Sequence, residues 1–225
     1  HPRVNGIIAI KLIDGDQLIE AKITEGENDI LLATSNGFAN RFHETDCRPL
    51  GRNSQGVKGI TLRDNDKVVA MVIIKREGTL LSISENGYGK RTKISDYNVT
   101  KRGSKGVITL KTTVRNGKLI SLLEVVDNDD LMIVTRNGMI IRQAVDRISV
   151  IGRNTQGVRL ITLNDDDKVY DLARILAEDE MGDEEISESS ENMDEIVETE
   201  TVGISEKNEE VDDSNDDDGQ SELDL

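Results

Sequence analysis

The sequence predicts an all-β fold, a propeller-like array of four-stranded units, and two kinds of repetition indicate it. Nearly the same seven residues occur twice, as GRNSQGV at 51–57 and GRNTQGV at 152–158, with a looser copy, KRGSKGV, at 101–107. The glycine after each polar loop recurs at Gly6, Gly56, Gly106 and Gly157, and the Asn-Gly glycine recurs at Gly37, Gly87 and Gly138. A fixed period of about 50 residues is typical of repeat architectures.

The elements of one unit follow from the residues of 56–105. The segments GVKGITL (56–62) and KVVAMVIIK (67–75) are rich in β-branched residues, and the turn sequence Asp64-Asn65-Asp66 lies between them. After Glu77-Gly78, TLLSIS (79–84) and YGKRTK flank Asn86-Gly87, a pair that favours a type I′ hairpin. The unit is therefore predicted to hold four short strands and a polar loop, and no helical periodicity competes with this interpretation.

Repeated small sheets of this kind bury their faces against each other, which predicts a propeller-like array over residues 1–175. The complete units are 6–55, 56–105 and 106–156, and a half unit at 157–175 supplies two more strands. The chain opens at His1-Pro2-Arg3 without methionine, in what matches the end of a preceding repeat. We therefore expect it to be a fragment of a longer protein.

Charge divides the chain near residue 176. Residues 1–175 carry 27 Lys and Arg against 22 Asp and Glu, a net of +5, whereas 176–225 carry 22 acidic residues and Lys207, a net of −21. The second segment has too little apolar surface to offset its chain entropy, so we expect a disordered acidic tail, with a weak helix near 184–197 as the alternative. The mildly basic body is the part expected to bind a polyanion.

The sequence offers no catalytic constellation and no metal site. Cys47 is the sole cysteine, and His1 and His43 are the two histidines, so neither a zinc spacing nor a Ser/His/Asp or Cys/His set can form. The G-x-x-x-x-G spacing of Gly51 and Gly56 is not a phosphate-binding loop, because Val57 stands where Lys is required. With no apolar run of about 20 residues and no signal peptide, we expect a cytoplasmic protein.

Basic residues recur in register and are the candidate binding residues. Arginine follows each hairpin turn and occupies each polar loop, so equivalent charges on successive blades would form a stripe suited to a bent polyanion. For any one arginine, pairing with carboxylates or capping of loop carbonyls within its own blade is an equal alternative. The candidate DNA-binding set is Arg41, Arg52, Lys58, Lys90, Arg91, Lys93, Lys101, Arg102, Lys105, Arg142, Arg153 and Arg159.

Aromatic residues are too few for base stacking along a single strand. The chain has two Phe, three Tyr and no Trp, which favours contact with a duplex backbone without base reading. Phe38, Tyr88 and Met139 occupy one repeat position after the Asn-Gly pair, and we interpret them as blade packing.

Several of these motifs, in this order and spacing, resemble the C-terminal domain of the A subunit of bacterial DNA gyrase. They are the opening PRVNGIIAIKL, GVKGI, NGYGKRT, SKGVITLK and GRNTQGV, and the acidic end fits in character. The resemblance implies a β-pinwheel of about six blades, of which about three and a half are present, that wraps duplex DNA on a basic rim.

The resemblance also implies a role inside a larger enzyme. In the family, the wrap lets an A2B2 complex with the gyrase B subunit introduce negative supercoils, with ATP and Mg²⁺ held by other domains. None of Tyr88, Tyr97 or Tyr170 follows an arginine, so the family's catalytic Arg-Tyr pair is absent, and this chain is expected to be neither catalytic alone nor cofactor-dependent. The glycine-rich basic box of the family's first blade is also absent.

Two alternatives remain open on the sequence alone. The A subunit of topoisomerase IV has a related pinwheel with fewer and more degenerate blades, against which the regular 50-residue register argues. A non-enzymatic interaction propeller could use the same basic rim to bind acidic partners.

Overall fold

The chain folds into antiparallel sheets, each built around a hairpin with an Asn-Gly pair at its tip. The computed structural model describes residues 6–176, so the tail predicted at 176–225 lies, beyond Leu176, outside the described residues. Within 6–176 the all-β prediction is confirmed, because no α-helix is present and the 3₁₀ turns Glu44–Asp46, Ile94–Asp96 and Val145–Arg147 are single turns. The strands are β1 (Asp29–Thr34), β2 (Phe38–His43), β3 (Val68–Ile74), β4 (Thr79–Ser84), β5 (Tyr88–Lys93), β6 (Val107–Ile108), β7 (Leu119–Val125), β8 (Asp130–Thr135), β9 (Ile140–Ala144), β10 (Val158–Arg159) and β11 (Val169–Ile175).

The strands form three blades with the same internal order. The first blade is β3-β1-β2-β6, the second is β7-β4-β5-β10, and the third is β11-β8-β9. The strands β3, β7 and β11 lie next to one another at the inner edges, and β6 and β10 form the outer edges. Within residues 6–176 no strand covers the outer edge of β9.

Each blade draws its strands from consecutive repeats, which differs from the expectation of four strands within one repeat. The first blade takes its hairpin from 6–55, its inner strand β3 from 56–105 and its outer strand β6 from 106–156. The predicted strand at 56–62 is wrong, since these residues form no strand. An outer strand pairs with the hairpin of an earlier repeat, and residues 57 and 58 have no such hairpin before them in the described chain. Their counterparts β6 and β10 do pair, with β2 and β5.

The Asn-Gly hairpins form at the predicted places but with a different turn. A type I′ turn needs positive φ at both central residues, and in the described chain Gly37, Gly87 and Gly138 have φ of 78 to 84° while the preceding asparagines do not. A hydrogen bond from Gly37 N to Thr34 O (2.9 Å) closes the first turn. This matches the alternative hairpin in which a tight turn is followed by a left-handed glycine.

The turn glycines of the first two blades also hold the outer part of each of these blades together. Gly37 O accepts hydrogen bonds from the backbone N–H groups of Thr109 (2.8 Å) and Leu110 (3.2 Å), just after β6. A Cβ at Gly37 would overlap the carbonyl oxygen of Leu110, so both the backbone conformation and the close approach require glycine. Gly87 has the same relation to Leu160 and Ile161 after β10.

Two apolar cores lie between successive blades. Leu31, Val72, Leu80 and Leu122 belong to the core between the first and second blades. Leu81, Leu131, Ile133 and Leu172 belong to the core between the second and third. Burial of leucine-sized side chains contributes roughly 1.5–3 kcal/mol each, so packing between the blades is a large stabilising term for the array.

Arg41 and Arg91 bond to backbone carbonyls of the segment that follows the next hairpin, which corrects their assignment to the basic stripe and agrees with the alternative of carboxylate pairing and carbonyl capping. Arg41 Nη1 donates to Ile94 O (3.2 Å) and Tyr97 O (3.1 Å), and its guanidinium pairs with Asp29 at 2.7 Å. Arg91 is 5% exposed, donates through Nε to Ile148 O (2.7 Å) and pairs with Asp127. These guanidiniums act as inter-blade anchors.

Lys90 is also buried, and it fastens the polar loop that leads to β10. Its side chain is fully buried, and Nζ donates to Gly152 O (2.7 Å), Arg153 O and Thr155 Oγ1 (3.0 Å). Burial lowers the pKa of the Lys90 ammonium to about 8, and the positive charge of Arg153 contributes to the same shift. In the preceding repeat Asn40 has this role, donating through Nδ2 to Lys101 O (3.4 Å).

The inter-blade role of Arg91 predicts a large loss of stability on its removal. Arg91→Met should lower the free energy of unfolding by about 2–4 kcal/mol, because buried carbonyls lose their donor. Arg142 is the matched control, since it occupies the same repeat position but its side chain is 64% exposed and pairs with Asp130 alone among described residues. Arg142→Met should cost less than about 1 kcal/mol in urea denaturation; equal losses would contradict the anchoring role.

The depressed pKa of Lys90 predicts a pH dependence of stability. Because the folded-state value of about 8 lies below the unfolded-state value of about 10.4, deprotonation favours the folded state. Between pH 8 and pH 10 the free energy of unfolding of the wild type should therefore rise relative to that of Lys90→Met, by up to about 2–3 kcal/mol. Parallel pH profiles for the two proteins, measured by urea denaturation, would show that Lys90 does not titrate in this range.

Candidate nucleic-acid interface

Three polar loops, which we call the outer loops, follow the same backbone path beside the blades. They are residues 51–56, 101–106 and 152–157. Ser54 O accepts from Lys11 N (3.0 Å), Ser104 O from Thr61 N (2.8 Å) and Thr155 O from Lys111 N (2.9 Å). Since these three bonds are equivalent in the repeat, side chains at equivalent loop positions recur with the spacing of the blades.

The arginines of the second and third outer loops bind the backbone of the preceding outer segment. Arg102 donates through Nη1 to Lys58 O and through Nε to Asp46 O (3.1 Å). Arg153 donates through Nη1 to Ile108 O (3.0 Å), and its guanidinium carbon lies 5.7 Å from the centroid of the Tyr97 ring. Both side chains are half-buried, so part of each guanidinium is tied to the protein and part faces solvent.

Three lysines surround the second outer loop. Lys101 and Lys105 are within it, and Lys58 is adjacent, because Gly103 N donates to Gly59 O (2.8 Å). All three side chains are exposed, and within residues 6–176 no carboxylate forms an ion pair with them. We call these residues the lysine cluster. Their positive charge is available to a ligand.

The structure thus separates the twelve candidates by burial. Lys90 and Arg91 are buried, and Arg41 is half-buried with its donors bonded within the protein. Arg102 and Arg153 are half-buried anchors of the outer loops. The exposed candidates are Arg52, Lys58, Lys93, Lys101, Lys105, Arg142 and Arg159.

The sequence-based set missed Arg115, which is exposed and lies beside Tyr88. Arg115 Nε donates to Tyr88 Oη (3.3 Å), and Arg159 Nη2 donates to the same oxygen (3.0 Å). The hydrogen bond from Arg159 is the main cause of a lowered pKa of the Tyr88 hydroxyl, and the hydrogen bond from Arg115 lowers this pKa further. Arg115 has no basic counterpart at its position in the other repeats, so the register gave no signal for it.

Four of the five aromatic residues are unavailable for stacking with bases. Phe42, Tyr88 and Tyr97 are buried, and Phe38 is half-buried beneath Arg63, the guanidinium carbon of which lies 3.2 Å from the ring centroid. Tyr170, by contrast, is 67% exposed. The packing roles expected for Phe38 and Tyr88 agree with this burial.

The described residues contain no grouping of three or more His, Cys, Asp and Glu side chains suited to a metal ion. Burial raises the pKa of the Cys47 thiol, which disfavours the thiolate that a nucleophile requires. Residues 6–176 include no helix that is long and apolar enough to span a membrane.

Comparison with known proteins gives one consistent family. Residues 28–75, 78–125 and 129–175 match the family described as DNA gyrase C-terminal domain, beta-propeller. Each matched stretch begins one residue before a hairpin and ends at or one residue after the following inner strand, so the family's repeat covers the hairpin and inner strand of one blade, whereas the units 6–55, 56–105 and 106–156 divide them.

The similar proteins of known identity are DNA gyrase A proteins. The DNA gyrase A protein of Halalkalibacterium halodurans is 57% identical over 192 residues, 85% of this chain and 23% of that protein. Its counterpart from Clostridium acetobutylicum is 49% identical over 189 residues, with 84% and 23% covered. This chain therefore spans about a quarter of the length of the curated relatives it matches.

Among solved structures, a DNA gyrase A C-terminal domain superimposes with a TM-score of 0.72 at 28% identity, covering 76% of this chain and 59% of that one. A topoisomerase IV C-terminal domain gives 0.72 at 25% identity, covering 76% and 53%. The family match, the identities to gyrase A proteins and the shared fold agree, and the chain belongs to the DNA gyrase C-terminal domain family of beta-propellers.

Proposed function

We propose that this chain binds duplex DNA along the outer loops of its blades and bends it, as the DNA-wrapping portion of a gyrase A protein. The repetition of the outer loops is the observation that supports this most strongly. Loops on the same hydrogen-bonded path place cations at intervals set by the blades, and a bent duplex presents phosphates at regular intervals. The surface and the polyanion therefore match in charge and in periodicity.

The exposed cations supply the binding energy. Lys58, Lys101 and Lys105 have no carboxylate ion pair in the described chain, so a phosphate would meet them without first displacing an internal partner. Each phosphate contact releases condensed counterions from the duplex, which makes the affinity fall with rising salt. The structural anchors Arg41, Lys90 and Arg91 instead hold the blades and loops in place.

Burial of the aromatic residues supports recognition without base reading. Single-strand binders stack bases on exposed aromatic rings, and here Tyr170 is the aromatic residue that is largely exposed. Lysine contacts with phosphate carry no sequence information, so unrelated duplexes should bind alike.

The same proposal places the chain in a larger enzyme. The relatives are DNA gyrase A proteins, and this chain corresponds to about a quarter of their length. In such an enzyme the wrapped segment would be delivered for strand passage to introduce negative supercoils, in an A2B2 assembly with the gyrase B protein in the cytoplasm. Cleavage chemistry, ATP and Mg²⁺ would belong to other domains.

Neutralising the lysine cluster should weaken duplex binding. The variant Lys58→Gln/Lys101→Gln/Lys105→Gln should lose affinity equally for two duplexes of unrelated sequence. The slope of log affinity against log salt should fall by about 0.9 for each phosphate contact that the substitutions remove. Fluorescence anisotropy between about 50 and 200 mM salt measures both quantities.

The control is a variant with the same change of charge at the inner edges of the blades, Lys22→Gln/Lys75→Gln/Arg174→Gln. These residues line the cleft beside β3 and β7, away from the outer loops. If both triple variants bind as the wild type does, the outer loops are not the DNA surface. Equal losses in both would show a dependence on net charge alone. Binding of an acidic polypeptide is measured in the same way. If the lysine-cluster variant keeps its affinity for DNA but loses affinity for this polypeptide, the result would favour the interaction propeller.

A further inference from the structure

Two arginines converge on one tyrosine hydroxyl at the outer edge of the second blade. Tyr88 opens β5 and is 4% exposed. Arg159, its pairing partner on β10, donates through Nη2 to Tyr88 Oη at 3.0 Å. Arg115, from the turn before β7, donates through Nε to the same oxygen at 3.3 Å. Both arginine side chains are exposed.

This arrangement keeps two positive charges close together without a neutralising partner. The guanidinium carbons lie 4.9 Å (Arg115) and 5.5 Å (Arg159) from the Tyr88 ring centroid. Within residues 6–176 neither arginine forms an ion pair with a carboxylate. A neutral hydroxyl offsets little of the repulsion between two guanidiniums, so an anion bound to both would relieve it.

The equivalent place in the first blade shows what the hydroxyl adds. Phe38 occupies the position of Tyr88, and Ile108 pairs with it where Arg159 pairs with Tyr88. The nearby Arg63 lies on the Phe38 ring and donates through Nη1 to Lys105 O (2.9 Å). The first blade therefore has one arginine bonded to the backbone, whereas the second has two arginines held by a shared hydroxyl.

The two arginines line an open cleft of about 370 Å³ beside the second blade. Their contacts to Tyr88 use Arg115 Nε and Arg159 Nη2, so further terminal nitrogens of each guanidinium are available to a ligand. Three carboxylates, those of Asp165, Asp166 and Asp167, also line the cleft and reduce its positive potential, although none of them forms an ion pair with these arginines. Paired guanidinium donors are suited to the oxygens of a phosphodiester.

We propose that Arg115 and Arg159 form a phosphate-binding site for the backbone of duplex DNA, with Tyr88 as the residue that positions both guanidiniums. This inference rests on the proposed function, since the ligand is the same duplex. It adds a contact that the first blade lacks, at a place outside the outer loops. The duplex would therefore be held more firmly at the second blade than repetition of the loops alone provides.

Three variants test the site. Their affinity for a fluorescently labelled duplex is measured by anisotropy, with unlabelled duplex DNA or inorganic phosphate added as the competitor. Arg115→Gln/Arg159→Gln should lower duplex affinity about tenfold at about 100 mM salt and reduce the salt slope by about 1.8, the value for two phosphate contacts. Arg115→Gln alone, in an exposed turn, should reduce the slope by about 0.9. Tyr88→Phe keeps both positive charges but removes the hydroxyl that positions the two guanidiniums. Duplex affinity should therefore fall about threefold, with little change in the slope of log affinity against log salt.

The controls separate failure of the site from failure of the proposed function. The charge-matched variant Lys22→Gln/Lys75→Gln should bind as the wild type does, and thermal unfolding should be unchanged in Arg115→Gln. If the wild type does not bind duplex DNA, the proposed function fails. If it does bind, and Arg115→Gln/Arg159→Gln retains its affinity and slope, the phosphate site is wrong. Millimolar inorganic phosphate should weaken duplex binding more for the wild type than for the double variant, and an equal effect on both would also contradict the site.

Discussion

The fold depends on the approach of one backbone segment to the glycine at the tip of an earlier hairpin. Gly37 and Gly87 each accept two backbone hydrogen bonds from residues about 70 positions further along the chain, at a distance that no side chain would permit. A hairpin alone is marginal in water, and this contact together with the inner strand completes the sheet. The contact therefore joins different repeats, and each blade is completed by a later part of the chain.

The exchange of strands between repeats also decides which basic residues are available to bind a ligand. Interleaved strands leave backbone carbonyls at the junctions between blades, and these need donors that can reach several oxygens. Arg41, Lys90 and Arg91 supply them. A buried charge is tolerated only when hydrogen bonds compensate its desolvation, and each of these three has several. The exposed cations in and beside the outer loops, together with Arg115 and Arg159, are the ones suited to a polyanion.

The sequence was sufficient to predict the all-β fold, the hairpins and the outer loops, since these follow from local β-propensity, Asn-Gly pairs and a fixed period. The sequence could not predict which repeat completes which blade. The sequence period is the same whether a blade takes all its strands from one repeat or from consecutive repeats. Nor could it separate Arg91 from Arg142, which share a repeat position but have different neighbours after them. Arg115 was missed because it has no counterpart in register, and its role appears only where Tyr88 and Arg159 meet it.

Lysine acetylation, measured by mass spectrometry with and without duplex DNA, is the most direct test of whether the outer loops bind DNA. Duplex DNA should lower the reactivity of Lys58, Lys101 and Lys105, whereas Lys22 and Lys75 at the inner edges should react equally in both states. Lys90, with its fully buried side chain, should react slowly throughout. Protection of the inner lysines, or reactivity of Lys58, Lys101 and Lys105 that is unchanged at saturating duplex, would contradict the assignment of the outer loops as the DNA surface.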